Sequence, residues 1–174
     1  PNKPLADIAG KPMIQHVWEQ AMAADLAPVY VATDDRSIAD VIEQAGGKAV
    51  LTRIDHASGS DRVFEAVEKI DPQQQFQHIL NLQGDLPEMP AEIPRRLAAV
   101  LDHNHCDLAT LVTKTSAEKA KKPQVVKAVV SWKDHAFGDA LYFSRASIPT
   151  GTNDKYHHIG VDGWHRPAVS RVVN

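Results

Sequence analysis

Leu80-Asn81-Leu82-Gln83-Gly84-Asp85-Leu86-Pro87 is the stretch on which the predicted fold depends. Its first residues complete a short apolar segment, His78 to Leu82, that predicts a buried strand. The second half turns abruptly into glycine, a carboxylate and proline. Ligands of an open α/β sheet bind beyond the carboxyl ends of its strands, and an Asp in that position can hold Mg²⁺. A plain surface turn is the alternative interpretation of an isolated Gly-Asp-x-Pro.

The composition is that of an ordinary globular protein. The chain has 174 residues, of which 43% are hydrophobic and 24% charged, with a formal net charge of −3. This length fits one domain with a substantial core, and the charge does not favour a nucleic-acid or membrane surface as partner. The apolar runs are too short for a membrane-spanning helix. The single cysteine, Cys106, excludes an internal disulfide framework, and we expect a cytoplasmic protein.

Helical and strand patterns alternate along the first half of the chain. A helical stripe includes Ile14, Val17, Trp18, Ala21 and Met22, and the β-branched segment Val29–Thr33 follows as a buried strand. Further patterns predict a helix that ends at Gly46-Gly47, a strand at Lys48–Leu51, a helix capped by Ser58 or Ser60, strand His78–Leu82, a helix at about Ala91–Leu101, and strands at Asp107–Val112, Val125–Val130 and Leu141–Phe143. This order predicts an α/β fold with a mainly parallel, twisted sheet, helices on both faces, and a small mixed or antiparallel subsheet in the second half.

A second polar motif, Thr52 to Arg62, precedes a predicted helix. It is rich in Ser and Gly at the helix start, where backbone N–H groups lack partners within the helix. Such a start can bind an anion or the polar edge of a ring. Together with Asp85, it predicts a ligand site at the carboxyl edge of the sheet.

Taken together, the motifs of this chain resemble one enzyme family. In order they are K-P-L, G-K-P-M, A-T-D-D, T-R-x-D-H-x-S-G-S-D-R, N-L-Q-G-D-L-P, V-V-K, L-Y-F-S-R-A-S-I-P and H-H-I-G. The set closely resembles the 3-deoxy-manno-octulosonate cytidylyltransferases, or CMP-Kdo synthetases, over nearly the whole chain. The resemblance implies a Rossmann-like nucleotidyltransferase fold, CTP and Kdo as substrates, CMP-Kdo and pyrophosphate as products for lipopolysaccharide biosynthesis, Mg²⁺ as cofactor, and a homodimer.

The resemblance also implies roles for individual residues. Lys3 matches the lysine of the family that neutralises triphosphate charge, and Asp85 matches its metal ligand. Gln83 would form hydrogen bonds with the sugar. The plainer interpretations are a solvated terminal lysine for Lys3 and a loop-capping glutamine for Gln83.

Two further groups of residues match positions at which the family binds its substrates. Ser58, Gly59 and Arg62 would form the cytosine and ribose side of the pocket, with a surface helix charge as the alternative for Arg62. Arg145 and His158 would bind the acidic sugar, for which an arginine fork is well suited.

Several other polar residues are given no catalytic or metal role. Lys127 either adds positive charge near the phosphates or is a structural lysine with a buried stem. Thr33 and Asp34 are expected to shape the pocket and to cap a helix. The remaining ones are not taken as metal sites or binding residues: His103, His105 and Cys106 lack a fourth ligand, His157 diverges from His158, and Lys119, Lys121 and Lys122 form a solvated face.

The chain departs from the family pattern in three places. The first strand and its arginine-containing phosphate loop would precede Asn2, and a C-terminal segment with a second metal-binding Asp would follow Asn174. Val161-Asp162-Gly163-Trp164 replaces the usual sequence after H-I-G, and Asp162 is therefore left unassigned. We thus expect residues 1–174 to form a single nucleotidyltransferase domain without those two segments, which would be inactive if the polypeptide had no others.

Three alternatives to a CMP-Kdo synthetase remain open from the sequence. One is a cytidylyltransferase for another sugar acid, such as 8-amino-Kdo or a sialic-acid-like substrate. The second is a non-catalytic nucleotide-binding fragment. A pure interaction module is the least favoured, because it would not need Lys3, Arg62, Gln83 and Asp85 at one edge of a sheet.

Overall fold

The computed structural model describes residues 3–103 and 106–168, and helices alternate with short strands along the first half of the chain. Among the described residues, no helix is long and apolar enough to cross a membrane. The elements are, in order, a 3-10 turn at Lys3–Leu5, β1 Asp7–Ile8, β2 Lys11–Pro12, α1 Met13–Ala23, β3 Tyr30–Thr33, α2 Arg36–Gln44, β4 Lys48–Leu51, α3 Gly59–Ile70, β5 His78–Leu82, α4 Glu92–His103, β6 Leu108–Thr115, α5 Ala117–Ala120, β7 Lys127–Trp132, β8 Gly138–Ser144 and β9 Lys155–His165.

The chain divides into two compact units. The first comprises Pro1–Ala109 and Asp162–Asn174, and the second comprises Thr110–Val161. The single domain expected over residues 1–174 stays a prediction.

The first compact unit contains a β-α-β unit. Strands β3 and β4 pair in parallel, from Tyr30 opposite Lys48 to Thr33 opposite Leu51. Helix α2 connects them and is capped by Asp35, whose carboxylate accepts a hydrogen bond of 2.8 Å from the Ser37 N–H. The parallel crossover predicted for this part of the sequence is therefore confirmed. Asp34, which was expected to shape the pocket and cap a helix, pairs instead with Arg62.

Helices α1 and α2 share an apolar core of Ile14, Ile38 and Ile42. Helix α2 ends at Gln44, and Gly46 follows shortly after it in the left-handed conformation, with a φ of +86°. A Cβ at Gly47 would lie only 2.7 Å from Ile42 Cγ2 and 2.8 Å from Trp18 Cε2. Only glycine fits this close approach, which explains the Gly-Gly pair as both a helix stop and a packing site.

The helical stripe predicted for α1 is correct except at its last member. Met13, Ile14, Val17 and Ala21 are buried, whereas Met22 is 48% exposed. Met22 lies at the margin of the apolar face because it falls eight residues after Ile14, and the side of α1 that packs inward is narrower than the sequence pattern.

Strand β5 lies beside the end of β9 in the first unit. A Cβ at Gly163 would be 2.7 Å from Leu101 Cδ1 and 3.0 Å from Leu80 Cδ2, so β9, α4 and β5 meet closely at this glycine. Leu97 and Leu101 of α4 are almost completely buried. This packing fixes β5, whose carboxyl end carries Gln83 and Asp85.

The second unit contains antiparallel pairs. Strands β7 and β8 pair from Lys127 opposite Ser144 to Trp132 opposite Gly138, with an irregularity between Val129 and Val130. Strand β7 also pairs antiparallel with β9, where Lys127 lies opposite His157. The antiparallel subsheet predicted for the second half of the sequence is confirmed.

Candidate active site

A cavity of about 770 Å³ lies in the first unit. Its walls are mainly apolar and come from α1, β3, α3 and β5. Gly59 and several polar residues from four separate parts of the sequence also line it, among them Lys3, Ser60, Arg62, Gln83, Asp85 and Asp162. A concave apolar site with a few convergent polar groups is typical of small-molecule binding.

The carboxyl end of β5 contributes an exposed acidic group to the cavity. Gln83 follows the last residue of the strand, and Asp85 lies two positions further on. The Asp85 carboxylate pairs with the Lys3 ammonium at 2.7 Å, and the two side chains are 44% and 69% exposed. Exposed pairs of this kind contribute only about 0–1 kcal/mol to stability, so the contact can be exchanged for a ligand at little cost.

The start of α3 is well ordered by its own side chains. Ser58 caps the helix by accepting a hydrogen bond of 3.2 Å from the Asp61 N–H, and its hydroxyl donates to Asp61 Oδ2 at 2.6 Å. The predicted cap is therefore confirmed at Ser58. The hydroxyl of Ser58 is engaged in this cap, while Gly59 and Ser60 line the cavity.

Arg62 is held in place by three groups. Its Nη1 donates to Thr52 Oγ1 at 2.6 Å and to the Arg53 carbonyl at 3.3 Å, and it lies 3.2 Å from Asp34 Oδ1. The side chain is 21% exposed. Arg62 is thus a fixed cation at the cavity wall, unlike a solvated charge on a helix surface.

Glu65 joins the segment before α3 to the helix itself, and the sequence analysis did not identify it. Its carboxylate accepts hydrogen bonds from the Arg53 N–H at 3.3 and 3.2 Å and from Lys69 at 2.7 Å. It also contacts His56, whose side chain is only 5% exposed. The Lys69 hydrogen bond is the main cause that lowers the pKa of Glu65 to about 2; burial opposes it, and the Arg53 N–H and His56 lower the pKa further. A signal was present in the sequence, because Glu65 follows Arg62 by three residues and precedes Lys69 by four.

Three predicted residues of the second unit have mainly structural contacts. The Lys127 side chain is buried and donates to the carbonyls of Lys122 at 3.4 Å, Val125 at 2.6 Å and Arg145. These bonds use the three donors of the ammonium group, which favours the structural interpretation of Lys127. Arg145 Nη1 donates to the Pro123 carbonyl at 3.1 Å, and the His158 ring packs edge-on against Phe143 at 5.6 Å.

Known proteins show which family has these features. The family model described as Cytidylyltransferase matches residues 1–171. The chain is 48% identical to the 3-deoxy-manno-octulosonate cytidylyltransferase of Paramagnetospirillum magneticum, over 100% of this chain and 72% of the relative. It is 47% identical to the enzyme of the same name from Parvibaculum lavamentivorans, over 99% of this chain and 67% of the relative.

The chain belongs to the 3-deoxy-manno-octulosonate cytidylyltransferase family. A solved structure of CMP:2-keto-3-deoxy-manno-octonic acid synthetase complexed with CTP agrees with this assignment. It is 39% identical, has a TM-score of 0.86, and is matched over 99% of this chain and 70% of its own. A UDP-glucose pyrophosphorylase complexed with UDP-glucose is only 13% identical with a TM-score of 0.69, over 97% of this chain and 69% of its own, and it supports the nucleotidyltransferase fold alone.

As a member of this cytidylyltransferase family, the chain was expected to use a metal ion. In the described residues, no group of three or more His, Cys, Asp or Glu side chains is arranged to hold one. Asp85 nevertheless fits a Mg²⁺ ion that is shared with a substrate, because Mg²⁺ commonly uses one or two carboxylates together with phosphate oxygens and water. Asp162, which the sequence analysis left unassigned, lines the same cavity.

The residues predicted for the cytidylyltransferase site fall into two sets. Five of them line the same cavity in the first unit: Lys3, Gly59, Arg62, Gln83 and Asp85. Ser58 supports that set as a helix cap, and Arg145 and His158 belong to the second unit. Two residues that were given no metal role remain. His105 lies outside the described part of the chain. Burial raises the pKa of the Cys106 thiol.

Proposed function

We propose that this cytidylyltransferase transfers the cytidylyl group of CTP to 3-deoxy-D-manno-octulosonate and releases pyrophosphate. The observation that carries the proposal is that Arg62, Gly59, Lys3 and Asp85 all line the same cavity. Such a cavity offers fixed polar groups for a nucleotide and exchangeable charges for its phosphates. The substrates are those in the names of the relatives, including the similar structure complexed with CTP.

In this proposal the start of α3 binds the cytosine and ribose side of CTP. Gly59 brings the chain into the cavity without a side chain, and no heavy atom lies within 4 Å of the position a Cβ would take. The N–H groups at a helix start bind acceptors on a ligand. Arg62 contributes a guanidinium whose direction is already set by Thr52 and Arg53.

Lys3 and Asp85 act on the triphosphate in this proposal. The Lys3 ammonium leaves Asp85 and neutralises phosphate charge, while the Asp85 carboxylate holds Mg²⁺. When bound there, Mg²⁺ supplies positive charge to the phosphate oxygens and stabilises the leaving pyrophosphate. These roles are supported by the exposure of both side chains and by the carboxylate oxygens of Asp85, which are ligands that Mg²⁺ prefers.

The chemical step then needs positioning and charge neutralisation more than covalent work by the protein. The oxygen of the anomeric hydroxyl of the sugar forms a bond to the α-phosphorus, the bond from this phosphorus to the β-phosphate oxygen breaks, and the hydroxyl proton is released. Gln83 orients the sugar by hydrogen bonds from the end of β5. This role is supported by the exposure of Gln83 and by its position in the cavity wall.

Arg145 and His158 bind the sugar acid in this proposal. An arginine can place two parallel N–H groups on a carboxylate, and Arg145 Nη1 now donates to a backbone carbonyl, that of Pro123. Substituting Arg145 by alanine is expected to raise the KM for the sugar acid and to leave the KM for CTP unchanged. The opposite pattern would remove Arg145 from sugar binding.

A homodimer and a cytoplasmic location complete the proposal. Strand β8 exposes Leu141, Tyr142 and Phe143 at 64%, 65% and 40%. Three large apolar side chains left exposed in a row on one strand favour a contact with another protein, and we propose a second copy of the chain. Sedimentation analysis of the wild type and of Leu141→Asp tests this, because the charged variant should sediment as a monomer.

Pyrophosphate release tests the reaction directly. The protein is incubated with CTP, Kdo and Mg²⁺, and each component is omitted in turn or the metal is removed with a chelator. Release that requires all three supports the proposal, and parallel reactions with 8-amino-Kdo and a sialic acid test the choice of sugar. Release without Kdo, or faster release with another sugar acid, would overturn the proposed substrate.

A further inference from the structure

The backbone of Arg53 is held at both its N–H and its carbonyl by side chains of helix α3. Its N–H donates to the Glu65 carboxylate at 3.2 and 3.3 Å, and its carbonyl accepts a hydrogen bond of 3.3 Å from Arg62 Nη1. Glu65 and Arg62 are three residues apart, so both project from the same face of α3. The two side chains therefore grip one residue of the preceding segment.

The position of the Arg62 guanidinium depends on this segment. Two of its contacts are with Thr52 Oγ1 at 2.6 Å and with the Arg53 carbonyl, and both acceptors move if the segment moves. The segment is attached to β3 at its beginning, where the Thr52 N–H donates to the Thr33 carbonyl at 2.9 Å. Beyond Thr52, Glu65 anchors the segment to α3 through the Arg53 N–H, in addition to the contact of Arg62 with the Arg53 carbonyl.

Glu65 makes more contacts than a helix surface residue needs. Besides Arg53 N–H it contacts Arg53 Nε at 3.5 Å, Lys69 at 2.7 Å and the buried His56. His56 lies in the same segment, so Glu65 holds the segment at two residues. Lys69 in turn donates to the Leu51 carbonyl at 2.7 Å, which ties the network to the end of β4.

We infer that Glu65 is a positioning residue for nucleotide binding, which acts through Arg53 on the direction of the Arg62 guanidinium. The inference rests on the proposed function, in which Arg62 contacts CTP. It adds a residue that lies behind the cavity wall and that the sequence analysis did not identify.

The first test is the affinity for CTP in the presence of Mg²⁺, measured by calorimetry with the full polypeptide. Glu65→Gln should raise the Kd for CTP about tenfold, because a charge-assisted hydrogen bond that holds Arg53 is weakened. The KM for CTP should rise in parallel while kcat stays nearly unchanged. Glu68→Gln is the matched control, because Glu68 is on the same helix and pairs with Arg166 at 2.7 Å. It should leave the Kd for CTP unchanged.

A double-mutant cycle then separates positioning from general stability. If Glu65 acts through Arg62, Glu65→Gln should have little further effect on the Kd for CTP in an Arg62→Met background. Equal effects in both backgrounds, or an equal effect of Glu68→Gln, would overturn the inference. An Arg62→Met variant that binds CTP normally would instead overturn the proposed place of Arg62 in the site. If Glu65→Gln fails to fold, His56→Gln replaces it in the cycle with the same expected coupling.

Discussion

The start of α3 and the end of β5 line the same cavity but are built in opposite ways. At the start of α3, Ser58, Arg62 and Glu65 are each bound to several protein groups. At the end of β5, Asp85 and Lys3 are bound to each other and are largely exposed. The difference indicates a rigid surface for recognising the shape of a ligand and an exchangeable pair for binding its charges.

Physical reasons favour this division. Polar groups that recognise a base or a ribose lose less entropy on binding when the protein already fixes them. Charged groups that meet a triphosphate and a metal ion must exchange partners, and a strongly buried pair would oppose this exchange. The two regions therefore serve the same proposed reaction through different degrees of preorganisation.

The variant Asp85→Asn should have the largest effect, and it tests whether the exposed pair at the end of β5 is used in the reaction. A neutral amide is a poor ligand for Mg²⁺, so turnover should fall about 100-fold or more while the melting temperature stays unchanged. Pyrophosphate release and thermal unfolding measure the two effects. Asp40→Asn is the control, because Asp40 pairs with Arg36 at 2.7 Å in a similarly exposed contact on α2. Near-normal turnover of the Asp85 variant would remove Asp85 from the metal role.

Lys3→Met examines the other half of the exposed pair. The variant keeps an unbranched side chain but loses the charge, and we expect turnover with CTP to fall about tenfold, a smaller loss than for Asp85. The stability should change by less than about 1 kcal/mol because the pair is exposed. Steady-state kinetics at several CTP concentrations give the result. A large loss of stability with unchanged kinetics would show a structural pair.

Ser58→Ala tests whether the order at the start of α3 is used for binding. Loss of the cap should lower the free energy of unfolding by about 1 kcal/mol and should also weaken CTP binding. Ser116→Ala is a matched control, since Ser116 caps α5 through the Lys119 N–H at 3.1 Å in the same geometry. Denaturant unfolding and CTP titration should show a stability loss in both variants but weaker binding only for Ser58→Ala. If Ser58→Ala binds CTP as tightly as Ser116→Ala does, the cap at Ser58 does not contribute to CTP binding.

The smallest expected effect is a pH dependence at Glu65. Its pKa is about 2 in the folded protein, against an ordinary value of 4.5. A lowered carboxyl pKa stabilises the folded state above about pH 4.5, and this contribution is lost as the pH falls towards 2. The difference in melting temperature between wild type and Glu65→Gln should therefore shrink as the pH falls from about 4.5 towards 2. A difference that persists at about pH 2 would contradict the ionised network.

Local features of the fold could be predicted from the sequence because they depend on neighbouring residues. The Ser58 cap, the Gly46-Gly47 helix end and the strand before Asp85 all follow from the chemistry of a few consecutive positions. The motif resemblance also gave the correct family. Five of the predicted site residues line one cavity, because the carboxyl ends of strands in an α/β sheet collect ligand-binding groups.

Contacts between distant positions could not be predicted in the same way. Glu65 has the helical spacing of a surface residue, and its hold on Arg53 depends on the path of the segment before α3. Lys127 had two open interpretations, and only the carbonyls around its ammonium group favour one of them. Met22 continues an apolar pattern yet is exposed, because neighbouring elements decide how wide the buried face of α1 is.

The sequence by itself determined the main helices and strands from α1 to β8, the caps, the glycine stops and the candidate residues of the site, since each is encoded by local propensity or by a short motif. It did not predict strand β9, Lys155–His165. The tertiary structure decided which of these residues meet. Lys3 reaches Asp85 across 82 positions of sequence, and Arg62 reaches Asp34 across helix α2, strand β4 and a loop. The physical reason is that charge pairs and buried donors are satisfied by whichever groups packing brings close, and sequence separation does not limit that choice.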